Sequence, residues 1–202
     1  MTEPDVALTD YALALECTVF AYLLQRKEHA LFFGSAAIAS LAGGTVHGFF
    51  LDDRTLGNAV LWRITLIAIG VTAASAWAVG ARVLFPGPTA RRISTAAAAA
   101  FAAYCVVTVF ITQEFRAAVV FYLPAVVFLL VALSVAYARA RERGILVAVA
   151  GLGLMFIAAA VQQARFALHP RYFNHNALYH LIQAVALWLL FLGLRRLHAD
   201  AT

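Results

Sequence analysis

The sequence predicts an all-α fold, a seven-transmembrane-helix bundle, and three observations predict it. Of 202 residues, 64% are hydrophobic and only 12% charged, too few charges to coat a soluble globule. The mean hydropathy is +0.86. Apolar runs of roughly 20 residues, the length that crosses a hydrocarbon core of about 30 Å, recur seven times between short polar breaks. No linker or internal repeat is long enough to set off a second domain, so residues 1–202 read as one transmembrane domain.

The first span is expected over residues 6–25; no Lys or Arg precedes it and the run is too long for a signal-peptide core, so it reads as a retained helix. The second, 29–50, follows the break Arg26-Lys27-Glu28. In it Gly44 and Gly48 are spaced as small-xxx-small, a pattern that lets a neighbouring backbone approach closely. The third, 58–84, follows Asp52-Asp53-Arg54, and the fourth, 93–112, follows Pro86-Gly87-Pro88. The fifth, 117–138, follows Gln113-Glu114-Phe115-Arg116 and contains Pro124, a candidate kink beside a cavity. The sixth, 145–168, follows the basic stretch 139–143, and the seventh, 177–197, follows His169-Pro170-Arg171. Cys17 and Cys105 both fall inside apolar runs, where neither a disulfide scaffold nor a Cys-rich zinc knuckle is expected.

An odd number of spans puts the termini on opposite faces. The face holding the C-terminus carries Arg26, Lys27, Arg82, Arg91, Arg92, Arg139, Arg141, Arg143, Arg195 and Arg196, ten cations. The other face carries five: Arg54, Arg63, Arg116, Arg165 and Arg171. Positive residues are retained in the cytoplasm, so the C-terminus is expected inside and the N-terminus outside, with the chain multi-pass in the cell membrane. The same scatter argues against a nucleic-acid partner, which would need a clustered basic surface.

Against this apolar background one stretch stands out, Asn174-His175-Asn176-Ala177-Leu178-Tyr179-His180-Leu181-Ile182-Gln183, at the entrance to the seventh span. Polar side chains are expensive in hydrocarbon and face a bundle interior or a water-filled cavity. His47 ends the second span and His180 lies about one turn into the seventh, so both are expected at similar depth from the N-terminal face. The predicted pair shares a ligand, metal or water, with Gln183 on the same side of the helix as His180. Glu16 is the most isolated charge. At its depth a carboxylate needs a partner or a proton, and the candidate partners are Arg63 and Arg165. With Gln162 and Gln163 of the sixth span, these groups are expected to line a polar pocket open toward the N-terminal side.

Seven spans, a His ending the second and a His-bearing entrance to the seventh resemble the superfamily of alkaline ceramidases and progestin-and-adipoQ receptors. The resemblance covers the whole layout. It implies a membrane hydrolase acting on a lipid amide or ester, with zinc held by a His of the second helix and an HxxxH pair of the seventh. His47 and His180 stand at ligand positions, whereas Asn176 occupies the first position of HxxxH, Gly43 the Ser position and Asn58 the Asp position. The implied catalytic set is therefore His47, His180, Asn58 and Asn176. The implied metal set is His47, His175 and His180, provided that Asn176 begins the helix and His175 lies before it. Asp52, Asp53 and His169, in nearby loops, are further candidates to complete the set.

Two other readings stay open. His47 and His180 as axial ligands of a haem, or as neighbours of a quinone, would make the protein an electron-transfer or sensory subunit. Alternatively Glu16, Arg63 and Gln183 bind a lipid-like small molecule or conduct protons in a nonenzymatic transporter or receptor. The expected partners are membrane lipid and such a ligand.

Overall fold

The computed structural model describes residues 1–24, 26–169 and 172–199, without the side chains of 197–199. Gln25, Pro170, Arg171 and residues 200–202 lie outside the described residues, so the expected end of the first span and one of the counted arginines fall there. Among the described residues the chain forms seven helices: α1 (Pro4–Leu23), α2 (Lys27–Phe49), α3 (Leu56–Leu84), α4 (Gly87–Phe110), α5 (Phe115–Ala140), α6 (Arg143–Gln163) and α7 (His175–Ala199). All seven are long and apolar enough to cross a membrane.

Most helices begin about one half-turn ahead of their apolar runs, and two of these early starts, at α3 and α7, are capped by a side chain. Thr55, for example, accepts the backbone N–H of Asn58 through its hydroxyl at 3.2 Å and so caps α3. Two ends differ further. α4 starts at Gly87 rather than near 93, because Pro88 sits in the first turn, where the missing N–H has no partner to lose. α6 stops at Gln163 rather than 168. Arg165 takes a left-handed conformation, φ 52°, and the N–H groups of Arg165 and Phe166 turn back to the carbonyls of Gln162 and Val161. His169 and Phe173 then pair their backbones in both directions, at 3.1 and 2.9 Å, which closes the connection to α7. Hydropathy does not distinguish such an apolar turn from a continuing helix.

Six helices close a ring in the order α1, α2, α3, α5, α6, α7, with α7 returning to α1. α4 stands outside it against α3. Its buried residues Ala90, Ala97, Tyr104 and Thr108, spaced by seven, seven and four, form one narrow seam, and the Tyr104 hydroxyl donates to the Leu66 carbonyl at 2.9 Å. Pro124 lies within α5 but is exposed, so it does not border the ring interior.

The ring is filled at one end only. Near the C-terminal face, Phe20 stacks on Phe191 at 4.2 Å and meets Phe33 edge-on at 5.4 Å, within a core that also holds Leu129, Leu133, Leu152 and Leu190. α6 and α7 touch there almost backbone to backbone: a methyl added at Gly151 would sit 2.6 Å from the Ala186 carbonyl oxygen. Cys17 is buried in this core and Cys105 is half-buried on α4, both as free thiols.

Candidate functional site

Toward the N-terminal face the ring encloses a cavity of about 340 Å³, and every ring helix contributes to its wall. Its outer part is polar and aromatic, with His47, Trp62, Phe115 and Asn176; Asp10, Thr65, His180 and Gln183 follow, and Leu13, Phe32 and Leu187 form an apolar part. His47 and Trp62 also border a surface depression of about 570 Å³ lined by Asp53, Asn58 and Glu114. His47 and Trp62 thus stand between the cavity and the N-terminal face.

Inside it, His180 faces α1. Its Nδ1 lies 3.3 Å from the Thr9 hydroxyl, and its Nε2 lies 3.5 Å from Asp10 Oδ1. The Thr9 hydroxyl donates its hydrogen to the Asp5 or Val6 carbonyl, each at 2.9 Å, so toward the imidazole it acts as acceptor. That arrangement puts a proton on Nδ1 and turns Nε2 toward the carboxyl group, where one further proton suffices to join the pair. Asp10 is only 5% exposed. It reaches this position because α2 presents glycine: a methyl at Gly44 would lie 2.7 Å from Asp10 Cβ, and one at Gly48 would lie 3.3 Å from Ala7 Cβ. The close approach expected of Gly44 and Gly48 is made to α1.

Asp10 is not among the residues that the sequence singles out, yet it is the carboxyl at the centre. The signal that finds it is depth: Asp10 stands six residues into α1 and His180 five into α7, two parallel neighbours. Glu3 is the second missed residue. Its carboxylate meets His47 Nδ1 at 2.5 Å, while Thr2 and Glu3 donate backbone N–H groups to the Gly48 and His47 carbonyls at 3.0 and 3.2 Å. Residues 1–3 thus tie down the end of α2 beside the mouth.

Among the other candidates, Gln183 lines the cavity, and so does Asn176, which accepts a hydrogen bond from Gln162 at 3.2 Å. Gln163 is exposed. Asn58 is placed elsewhere than the resemblance implies: its side-chain amide donates to the Phe50 carbonyl at 2.7 Å, bracing the α2–α3 turn, and it borders the depression rather than the cavity. His175 is corrected too. Asn174 Oδ1 accepts the N–H groups of Asn176 and Ala177 at 2.9 and 3.1 Å, so the helix starts at His175, which is then about 140° around it from His180 and does not line the cavity.

The pairing expected of Glu16 is absent among the described residues. Arg63 turns back to donate to the Ala59 carbonyl at 2.9 Å, Arg165 is exposed, and the buried Oε2 of Glu16 has no hydrogen-bond partner. A lone carboxylate there would cost several kcal/mol, which leaves the neutral acid as the form that fits. Asp52 accepts the Arg54 N–H at 3.0 Å in the α2–α3 turn, and His169 accepts the Tyr172 N–H at 3.2 Å in the α6–α7 connection. Neither borders the cavity.

Zinc does not fit this donor set. Three protein ligands are the usual minimum of a catalytic site. Among the described residues no three His, Cys, Asp or Glu side chains are grouped to hold a metal. Of the two ring nitrogens of His180, Nδ1 is engaged by Thr9 and Nε2 lies 3.5 Å from Asp10 Oδ1. The arrangement offers instead a hydrogen-bonding and proton-holding wall around a small volume.

No curated protein and no solved structure matches the chain. A family model does, over residues 6–199, and the match spans all seven helices but for the first two residues of α1. The chain belongs to that family, described as a family of unknown function, DUF6962.

Proposed function

We propose that the protein is a receptor or carrier that binds a small ligand within the membrane, in the cavity between His47 and His180. The observation that supports this reading most is the cavity itself: polar groups from five of the six ring helices converge on one space, with apolar residues below them. Buried polar side chains that only held helices together would pair across helix contacts and leave no space. A ligand with a hydrogen-bonding head and a compact apolar part matches that wall. Native mass spectrometry of the protein released from lipid nanodiscs tests the reading. Wild type is expected to retain a small molecule that is lost in Ala36→Phe, which fills the cavity. Identical spectra for the two proteins would defeat it.

Hydrolysis of a lipid ester or amide is the second reading. The Asp10–His180 contact favours it, because a buried carboxyl group and an imidazole held side by side can share a proton and so take one from water as a general base. It would act here on a water molecule without the zinc that the ceramidase-type resemblance implies. Turnover of a fluorogenic ester by wild type, abolished in His180→Ala, would favour this reading over simple binding.

The cavity is proposed to open outside the cell. Ten cations against five support a cytoplasmic C-terminus. A reporter fused after Thr202 is expected to be active only in the cytoplasm, and activity outside would reverse the assignment.

A further inference from the structure

We infer that the ligand of this cavity is an organic cation, an amine or quaternary ammonium carried on a compact apolar or aromatic body. The inference rests on the binding reading and specifies its chemistry. The ionisable groups on the wall are Asp10, His47, His180, Tyr122 and Tyr179, and no Lys or Arg among the described residues joins them. Asp10 is the one Asp or Glu side chain on that wall, and a cation bound beside it favours its charged form. An anion entering this space would meet a carboxyl group and no permanent cation to offset its lost hydration. A cation gains Asp10 directly.

The rest of the wall has the same preference. Trp62, Phe115, Phe32, Tyr122 and Tyr179 all border the cavity, and aromatic faces attract ammonium groups through their quadrupoles. The indole N–H of Trp62 donates to the Gln113 carbonyl at 2.8 Å, which fixes the ring at the mouth. Outside the mouth the depression carries Asp53 and Glu114, again with no Lys or Arg among the described residues of its wall. Arg116 lies 3.7 Å from Glu114 but does not line the depression. A cation is therefore drawn from an acidic approach, past an aromatic collar, to a buried carboxyl group. Asp10 also keeps hydrogen-bonding capacity toward the space, since 3.5 Å to His180 Nε2 is too long for a strong hydrogen bond.

Three probes of matched shape test this by calorimetry on the full chain in phosphatidylcholine nanodiscs: 2-phenylethylammonium, 2-phenylethanol and phenylacetate. The ammonium is expected to bind about tenfold or more tighter than the alcohol, with the carboxylate weakest, because the ion pair and the aromatic contacts act only on the cation. Asp10→Asn is expected to close the gap between ammonium and alcohol. If the alcohol binds as well as the ammonium, or phenylacetate binds best, the cation inference falls while the cavity remains a binding site. If wild type binds none of the three, cavity reading and cation inference fall together. Should Asp10→Asn fail to fold, the ranking of the three probes on wild type decides the question by itself.

Discussion

The two ends of the ring are built on opposite plans. Toward the C-terminal face, Phe20, Phe33, Phe191, Leu133 and Leu190 fill the interior, and glycines bring α6 and α7 into backbone contact. Toward the N-terminal face the same six helices stand around a space, and what they place there is polar. In a membrane, helix association draws on packing and on hydrogen bonds between helices rather than on the exclusion of water. The packed end therefore supplies the tight association that the hollow end gives up. Stability and ligand chemistry are divided along the membrane normal, and mutations at the two ends should have different signatures.

The largest effect on stability is expected at the packed end. Phe33 is fully buried and shares edge contacts with Phe20, Phe32 and Phe191. Phe33→Ala should destabilise by about 3–5 kcal/mol, read as a lowered midpoint of unfolding in mixed micelles, with ligand affinity of the surviving folded fraction little changed. A loss under about 1 kcal/mol would mean that the aromatic cluster does not anchor the ring.

The seam between the two ends comes next. Gly44 admits Asp10, and any side chain there pushes α1 away from α2. Gly44→Val is expected to cost about 1–3 kcal/mol by overpacking. Unlike Phe33→Ala it should also weaken ligand binding, because Asp10 and His180 lose their register. Equal binding in Gly44→Val and wild type would detach the glycine from the site.

How much of this was legible in the sequence follows the same division. Spans, their order and the peripheral loops are set by hydropathy summed over about 20 residues, and such sums tolerate single errors. His47, His180, Asn176 and Gln183 stood out because amides and imidazoles are rare in apolar runs, and all four line the cavity. Asp10 and Glu3 did not stand out. An acidic residue within a few turns of the chain start looks like a solvated one, and it takes the depth shared with His180 and the glycine contact that admits Asp10 to tell it apart. The expected partners of Glu16 failed for a related reason: arginine side chains near a helix end can turn back to their own carbonyls, as Arg63 does, and sequence position does not show which way they turn.

A stabilising change is expected third. Ala36 borders the cavity, and Ala36→Phe would convert hollow end to packed end by adding apolar contacts. The thermal midpoint should rise, by the equivalent of about 0.5–2 kcal/mol, while ligand retention is lost. Function and stability would then move in opposite directions at one residue. If Ala36→Phe destabilises instead, the cavity holds ordered solvent or ligand that the protein needs in order to fold, and the division between the two ends is less complete than the packing implies.

The smallest effect on stability is expected at the mouth. Glu3 and His47 are joined at 2.5 Å with side chains 34% and 25% exposed, and partly exposed ion pairs contribute about 0–1 kcal/mol. Glu3→Gln keeps the shape and can still hydrogen-bond His47, so the unfolding midpoint should hardly change. Binding should respond more, since the same contact, with the Thr2 and Glu3 backbone bonds to the end of α2, sets the position of the one histidine shared by the cavity and the depression outside it. The expected outcome is a faster ligand association and dissociation, measured by stopped-flow fluorescence, at nearly constant affinity. A loss of stability above about 2 kcal/mol would instead show that residues 1–3 hold the open end of the ring together, giving the hollow end a clasp that stands in for the core it lacks.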